Sequence, residues 1–197
     1  MKAIADFFSV SIVALLFQNV VFSRGLGIGR LLKITETKSS ILPYSIFVTG
    51  TMIFSSFFAW GAGFLPIPIT LWRALEPLIY LLCVLAVLGI FVIIWKNNSK
   101  TKHLKFRGVV IPAAINYTVL GTVLLGARSD YSLVKFLGLA FGSGIGFTLA
   151  AIVVYYGKKH LEQLDIPEAF RGLPSQLIYI GILSLAIYGF IGSSILL

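Results

Sequence analysis

Between residues 41 and 64, and again between 175 and 197, the chain carries no charged side chain. Apolar stretches of roughly 20 residues are what a helix needs to cross a hydrocarbon core about 30 Å thick. Of the 197 residues, 58% are hydrophobic and only 12% charged, more apolar surface than a water-soluble domain of this size could hide. The sequence therefore describes an all-α integral membrane protein. The spans leave no room for a soluble domain, so residues 1–197 form one membrane domain.

Six spans can be drawn, at about residues 4–22, 41–64, 69–95, 109–126, 131–156 and 175–197. Trp60, Trp72, Trp95, Tyr155 and Tyr156 fall near their ends, as interfacial aromatics do. Lys2 followed by an apolar stretch could suggest a signal peptide. Asp6 interrupts it and no small-residue cleavage site follows, so an uncleaved first span is expected.

The net charge of +9 does not indicate nucleic acid, because the cations follow the spans. Arg24, Arg30, Lys33, Lys38, Lys96, Lys100, Lys102, Lys105, Arg107, Lys158, Lys159 and Arg171 lie in the loops after spans one, three and five, whereas Lys2, Arg73, Arg128 and Lys135 lie on the opposite side. This asymmetry puts the richer loops in the cytoplasm and both termini outside. Three spans per half set the halves, about 1–95 and 109–197, in opposite orientations, as two inverted three-helix repeats.

Each half carries a polar interruption. In span one Gln18-Asn19 runs into Arg24-Gly25-Leu26-Gly27-Ile28-Gly29-Arg30; in span four Asn116-Tyr117-Thr118 leads to Gly121 and Gly126, after Pro112, whose ring removes a helical hydrogen bond. Amides and glycines in apolar spans mark broken helices, here helices one and four, and matching breaks in two halves point to a site near the bilayer midplane. Asn19, Gly27, Gly29, Asn116, Tyr117 and Thr118 are its candidate residues. The glycines lack the GxGxxG spacing and the preceding strand of a nucleotide-binding loop, so they are expected to let a broken helix bend or pack closely.

In span five Gly138, Gly142 and Gly146 recur every fourth residue and line one helix face, which predicts a close approach of another helix. Arg73 and Glu76 are spaced to pair on one face near the outer interface. No acidic residue sits centrally in a span, so a carboxylate ion relay within this chain has no obvious members. His103 and His160 lie in basic loops and no Ser/His/Asp arrangement is visible. The single cysteine, Cys83, excludes an internal disulfide and cannot alone hold zinc or an iron–sulfur cluster, so no metal site is expected.

Asp165-Ile166-Pro167-Glu168-Ala169-Phe170-Arg171-Gly172 ahead of the last span resembles the matching region of RnfA and NqrE, membrane subunits of the Rnf and Nqr ion-translocating oxidoreductases. Gln18-Asn19-Val20-Val21-Phe22 through Leu26-Gly27 resembles that family's Asn-Asn-Phe-Val-Leu…Leu-Gly segment, Asn116-Tyr117-Thr118-Val119-Leu120-Gly121 its Asn-Cys-Ala-Val-Leu-Gly, and Trp72-Arg73-Ala74-Leu75 its Leu-Arg-Thr-Leu. The resemblance covers essentially the whole chain. It implies six spans with both termini outside, in a prokaryotic plasma membrane. It also implies pairing with a homologous subunit of inverted orientation, RnfE- or NqrD-like, and a [2Fe–2S] cluster gripped between broken helices by cysteines from both members of the pair. At the two family cysteine positions this chain has Gly29 and Tyr117, neither of which supplies a thiolate.

The expected function is that of a membrane subunit, not catalytic alone, in an Rnf/Nqr-like translocase that couples electron transport to ion translocation. No cofactor is expected in this chain, the alternative being a 2Fe–2S cluster shared with a partner. The alternative function is a repurposed paralogue, acting as a small-molecule or ion transporter or as a structural membrane subunit. Its breaks would then coordinate substrate through Asn19, Asn116, Tyr117 and Thr118.

Overall fold

The computed structural model describes residues 2–66, 68–98, 111–129 and 131–191, which are helical throughout apart from turns and connections. Lys100, Lys102, His103, Lys105, Arg107 and Asp130, the beginning of span four and the end of span six lie outside the described residues, as do the side chains of Arg73 and Trp95.

Helix α1 covers Lys2–Leu16, α2 Ile28–Ile34, α3 Lys38–Ala62 and α4 Ile69–Asn98. A helical segment ending at Ala114 precedes α5, Tyr117–Arg128. Helix α6 spans Leu133–Leu161, and a 3₁₀ turn at Glu168–Phe170 leads into α7, Leu173–Ile191. By length and composition, α3, residues Ala74–Ile94 of α4, and α6 are able to cross a membrane; Leu173–Gly189 is a shorter apolar helix.

Spans two, three and five thus have direct counterparts. Span one does not run as one helix from 4 to 22. It stops at Leu16, and the chain turns through residues 17–27 before α2 begins. The cause is local. The Asn19 side chain accepts hydrogen bonds from the Val21 and Phe22 amides at 3.0 and 3.4 Å, which offers the backbone a turn in place of the helix ladder. Gly25 and Gly27 then take left-handed conformations with φ of 68° and 80°.

Helix α6 is the centre of the bundle, packed against α1 on one side and α3 on another, with α2, α5 and α7 also touching it. Gly138, Gly142 and Gly146 of α6 lie directly on the backbone of α1 at Phe7, Ser11 and Leu15. The approach is close enough for Ser11 Oγ to donate to the Gly138 carbonyl across the interface at 2.9 Å. Lys158, Lys159 and His160 close the helix where cations suit the negative end of its dipole.

The polarity of the molecule is inverted relative to a water-soluble bundle. Ser45, Thr51, Ser55, Ser56, Thr118, Thr122 and Ser143 are buried, while Phe8, Ile46, Phe54, Ile93, Ile182 and Leu185 face outward, more than half exposed. In lipid the tails are as apolar as leucine. Association then relies on close packing and internal hydrogen bonds, which small and hydroxylated residues provide. The outward leucines and phenylalanines accordingly form an apolar exterior of the kind that lipid or other apolar helices cover.

Candidate functional site at the meeting of two helix breaks

The two polar interruptions, almost a hundred residues apart in sequence, meet in space. Gly27 presses against Thr118 and Asn116: a Cβ added to it would collide with Thr118 Oγ1 and come within 3.0 Å of Asn116 Oδ1. Thr118 Oγ1 donates to the Leu26 carbonyl at 3.3 Å, and the Leu26 side chain covers Gly121 of α5. Glycine at 27 is required twice over, by its φ of 80° and by the missing space.

On the other side of the junction Asn116 caps α5. Its Oδ1 accepts from the Thr118 amide at 3.1 Å and lies 3.0 Å from Thr118 Oγ1, whose one proton is shared between it and the Leu26 carbonyl. Its Nδ2 donates to the Tyr44 hydroxyl at 3.5 Å, and that hydroxyl donates to the Pro112 carbonyl at 2.9 Å. Interrupting the helix after Ala114 deprives Pro112 of its usual i+4 partner, and the phenol from α3 takes over. An Asn116→Ala variant is expected to lose about 1–2 kcal/mol of stability, the cost of an N-cap. Asn116→Ser, which keeps an acceptor at the cap, should recover most of it. Thermal unfolding in detergent reads both, and a serine variant as unstable as the alanine one would refute the capping role.

Asn19 belongs to the same break but faces α6. Its Nδ2 donates to the Gly146 carbonyl at 2.9 Å and to Leu15 O at 3.4 Å while Oδ1 holds the turn. All of its amide capacity is engaged within the chain. The structure thus brings Gly27, Asn116 and Thr118 together, sets Asn19 one contact away against α6, and turns two candidates outward. The Tyr117 side chain is 77% exposed, and Gly29 is exposed with nothing within 4 Å of the direction a side chain would take.

Neither outward position fits an iron–sulfur cluster. Gly29 has no ligating atom and Tyr117 offers a phenol, where such clusters take thiolates. Cys83 is on α4, which packs against α3 and α5. Among the described residues no three His, Cys, Asp or Glu side chains gather as a metal site.

Sequence reasoning missed Tyr44, and it missed Arg128 as the partner of Glu76. Tyr44 gave no signal, because its partner Pro112 is 68 residues away. Glu76 pairs with Arg128 at 3.3 Å, joining α4 to the end of α5; the expected partner Arg73 has its side chain outside the described residues. Only the position of Arg128 at a span end, on the same side as Glu76, could have suggested that pair.

A family model described as "Rnf-Nqr subunit, membrane protein" matches residues 7–195. The chain is 30% identical over 184 residues, 93% of its length and 95% of the relative's, to a component of the ion-translocating oxidoreductase complex of Syntrophotalea carbinolica. It is 26% identical over 185 residues, 93% of the chain and 95% of the relative, to a component of the Na(+)-translocating ferredoxin:NAD(+) oxidoreductase complex of Acetobacterium woodii. The corresponding component of the proton-translocating ferredoxin:NAD(+) oxidoreductase complex of Clostridium ljungdahlii is also 26% identical, over 189 residues, 95% of the chain and 97% of the relative. The match runs through both helix breaks and the segment ahead of α7, so the chain belongs to the Rnf-Nqr family of membrane subunits.

Proposed function

We propose that this chain is the RnfA-like membrane component of an Rnf/Nqr-type complex that couples electron transfer to ion translocation, and that it contributes scaffold and interface but no iron–sulfur ligands. The family match over residues 7–195 carries the reading. The placement of Gly29 and Tyr117 supports the second half: both lie on the outside of the helix-break junction, where a neighbouring subunit would sit, and neither offers a thiolate. The occupant of that face is a homologous subunit of opposite orientation, RnfE- or NqrD-like. The chain itself is a six-span inverted repeat in a prokaryotic plasma membrane with both termini outside. The distribution of lysine and arginine supports that orientation, and the breaks at Asn19 and Asn116 support the repeat. Relatives of equal identity bear sodium- and proton-translocating names, so similarity does not select the ion.

A second reading, a transporter or structural subunit without redox chemistry, draws on the same missing thiolates. Affinity purification from native membranes separates the two. On the proposal the chain co-purifies with a homologous six-span protein and with flavin-bearing subunits, and the reduced sample's EPR spectrum is unchanged when Tyr117 is replaced by phenylalanine. Isolation of the chain without such partners would sink complex membership. A [2Fe–2S] signal that disappears in the Tyr117→Phe or Gly29→Ala variant would sink the cluster-free half.

A further inference from the structure

Ile166, Arg171 and Gly172, from the segment that carries part of the family likeness, also wall a cleft of about 330 Å³ between the end of α6 and the start of α7. Lys158 of α6 and Glu162 just past its end line one side, and Arg171, Gly172, Ser175 and Gln176 the other. From this arrangement we propose that the cleft binds a phosphoethanolamine-type headgroup, a phosphodiester beside a primary ammonium. The proposal is independent of membership in a larger assembly.

The depth of the cleft is the first argument. The chain is uncharged over residues 136–157, and charge begins at Lys158. Immediately below, the Lys159 ammonium lies 5.2 Å from the centre of the Tyr155 ring, and Lys38 of α3 lies 5.8 Å from that of Tyr156. Aromatic rings capped by cations are the pattern of a membrane–water boundary, so the cleft opens at headgroup level.

Its charges are the second. Lys158 and Arg171 put two cations and Glu162 one carboxylate around one space, yet none of the three forms an ion pair within 4.0 Å among the described residues, although Lys158 and Glu162 are one helical turn apart. A phosphodiester answers the two cations. It would also meet the first turn of α7, where amide N–H groups lack intrahelical partners. Gly172, with φ of 87°, turns the chain into that helix, and Ser175 Oγ is directed back to the Gly172 carbonyl at 2.9 Å. Glu162 would then receive the ammonium, which distinguishes an ethanolamine headgroup from a purely anionic one.

The rim is the third. Leu161, Leu164 and Ile166 line the cleft, Leu164 about half exposed, an apolar border that suits the glycerol and upper acyl region of a lipid and has no use for a free phosphate.

The test is native mass spectrometry of the purified chain after exchange into micelles doped with equal phosphatidylethanolamine, phosphatidylglycerol and phosphatidylcholine. One phosphatidylethanolamine per chain should be retained in preference. A Lys158→Gln/Arg171→Gln double variant should lower retention at least tenfold. Glu162→Gln should shift preference toward phosphatidylglycerol. These side chains are on the surface, so unchanged gel-filtration profiles are expected and exclude misfolding as the cause. Equal retention of the three lipids, or retention indifferent to the double variant, overturns the proposal. Soluble glycerophosphoethanolamine is added as a competitor: failure to displace the lipid assigns the site to the bilayer, and stoichiometric binding of it by lipid-free protein overturns the lipid assignment.

Discussion

Replacing Gly142 with alanine is expected to be among the most damaging single changes in this protein, although it adds one carbon. That carbon would meet the Ser11 carbonyl oxygen and lie 2.7 Å from the Ser11 Cα and 2.8 Å from its carbonyl carbon. These are backbone atoms of a helix and cannot rotate aside. Relief requires α1 to move off α6, which also strains the 2.9 Å bond from Ser11 Oγ to Gly138 and the neighbouring contacts of Gly138 with Phe7. Overpacking typically costs about 1–3 kcal/mol, and more when the obstacle is rigid. We expect at least 3 kcal/mol, equivalent to a fall in melting temperature of roughly 6–12 °C for a chain of this size. The control is Gly89→Ala on α4, where an added Cβ meets nothing within 4 Å. There the higher helix propensity of alanine should leave stability equal or slightly raised, by up to about 1 kcal/mol. Melting curves of the two variants in the same detergent decide the matter: similar values would mean that the glycines do not set the spacing of α1 and α6.

Gly27→Ala should be nearly as severe, for two separable reasons. The left-handed backbone costs a non-glycine residue about 1–2 kcal/mol, and the new Cβ would collide with Thr118 Oγ1, adding about 1–3 kcal/mol of overpacking. Thr118→Ala removes the obstructing hydroxyl at the expense of its hydrogen bonds to Leu26 O and Asn116 Oδ1. In the double variant the steric part should shrink to the tight 3.0 Å approach to Asn116 Oδ1 while the conformational part stays. The two substitutions are therefore expected to be non-additive by about 1–2 kcal/mol, the double variant being more stable than the sum predicts. Additivity within about 0.5 kcal/mol would show that the breaks at Gly27 and Thr118 do not touch.

Where the chain announced itself, it did so through strong and local signals. The apolar runs of α3, α4 and α6 are long enough that hydrophobicity alone locates them, and the four-residue spacing of Gly138, Gly142 and Gly146 predicted a close helix contact without naming the partner. The interruptions at Asn19 and Asn116 were visible as polar residues in apolar surroundings. Their consequences differ, however. Asn116 begins a new helix directly, whereas Asn19 opens a turn that Gly25 and Gly27 prolong until α2. Hydropathy averaged over a window carries span one past Leu16 because Val20, Val21 and Phe22 are apolar in either conformation. All three are buried in the turn, Val21 and Phe22 against the α2–α3–α6 core, as a result of tertiary packing. Contacts between distant residues, such as Tyr44 with Pro112 or Glu76 with Arg128, leave no trace in local pattern. The convergence of Gly27 with Asn116 and Thr118 was suggested only by the pseudo-symmetry of the halves.

A helix interrupted inside a membrane protein invites the idea of a hinge, yet the phenol of Tyr44 argues for a clamp. Swinging α5 away from the segment that ends at Ala114 would part Asn116 from Tyr44 and Tyr44 from Pro112. A carbonyl and an amide would then be stranded in an interior without water, at about 1–3 kcal/mol for each unsatisfied group. One side chain from a third helix thus makes the discontinuity stiff. Motion in this protein should prefer the rigid displacement of whole helices over bending at the break.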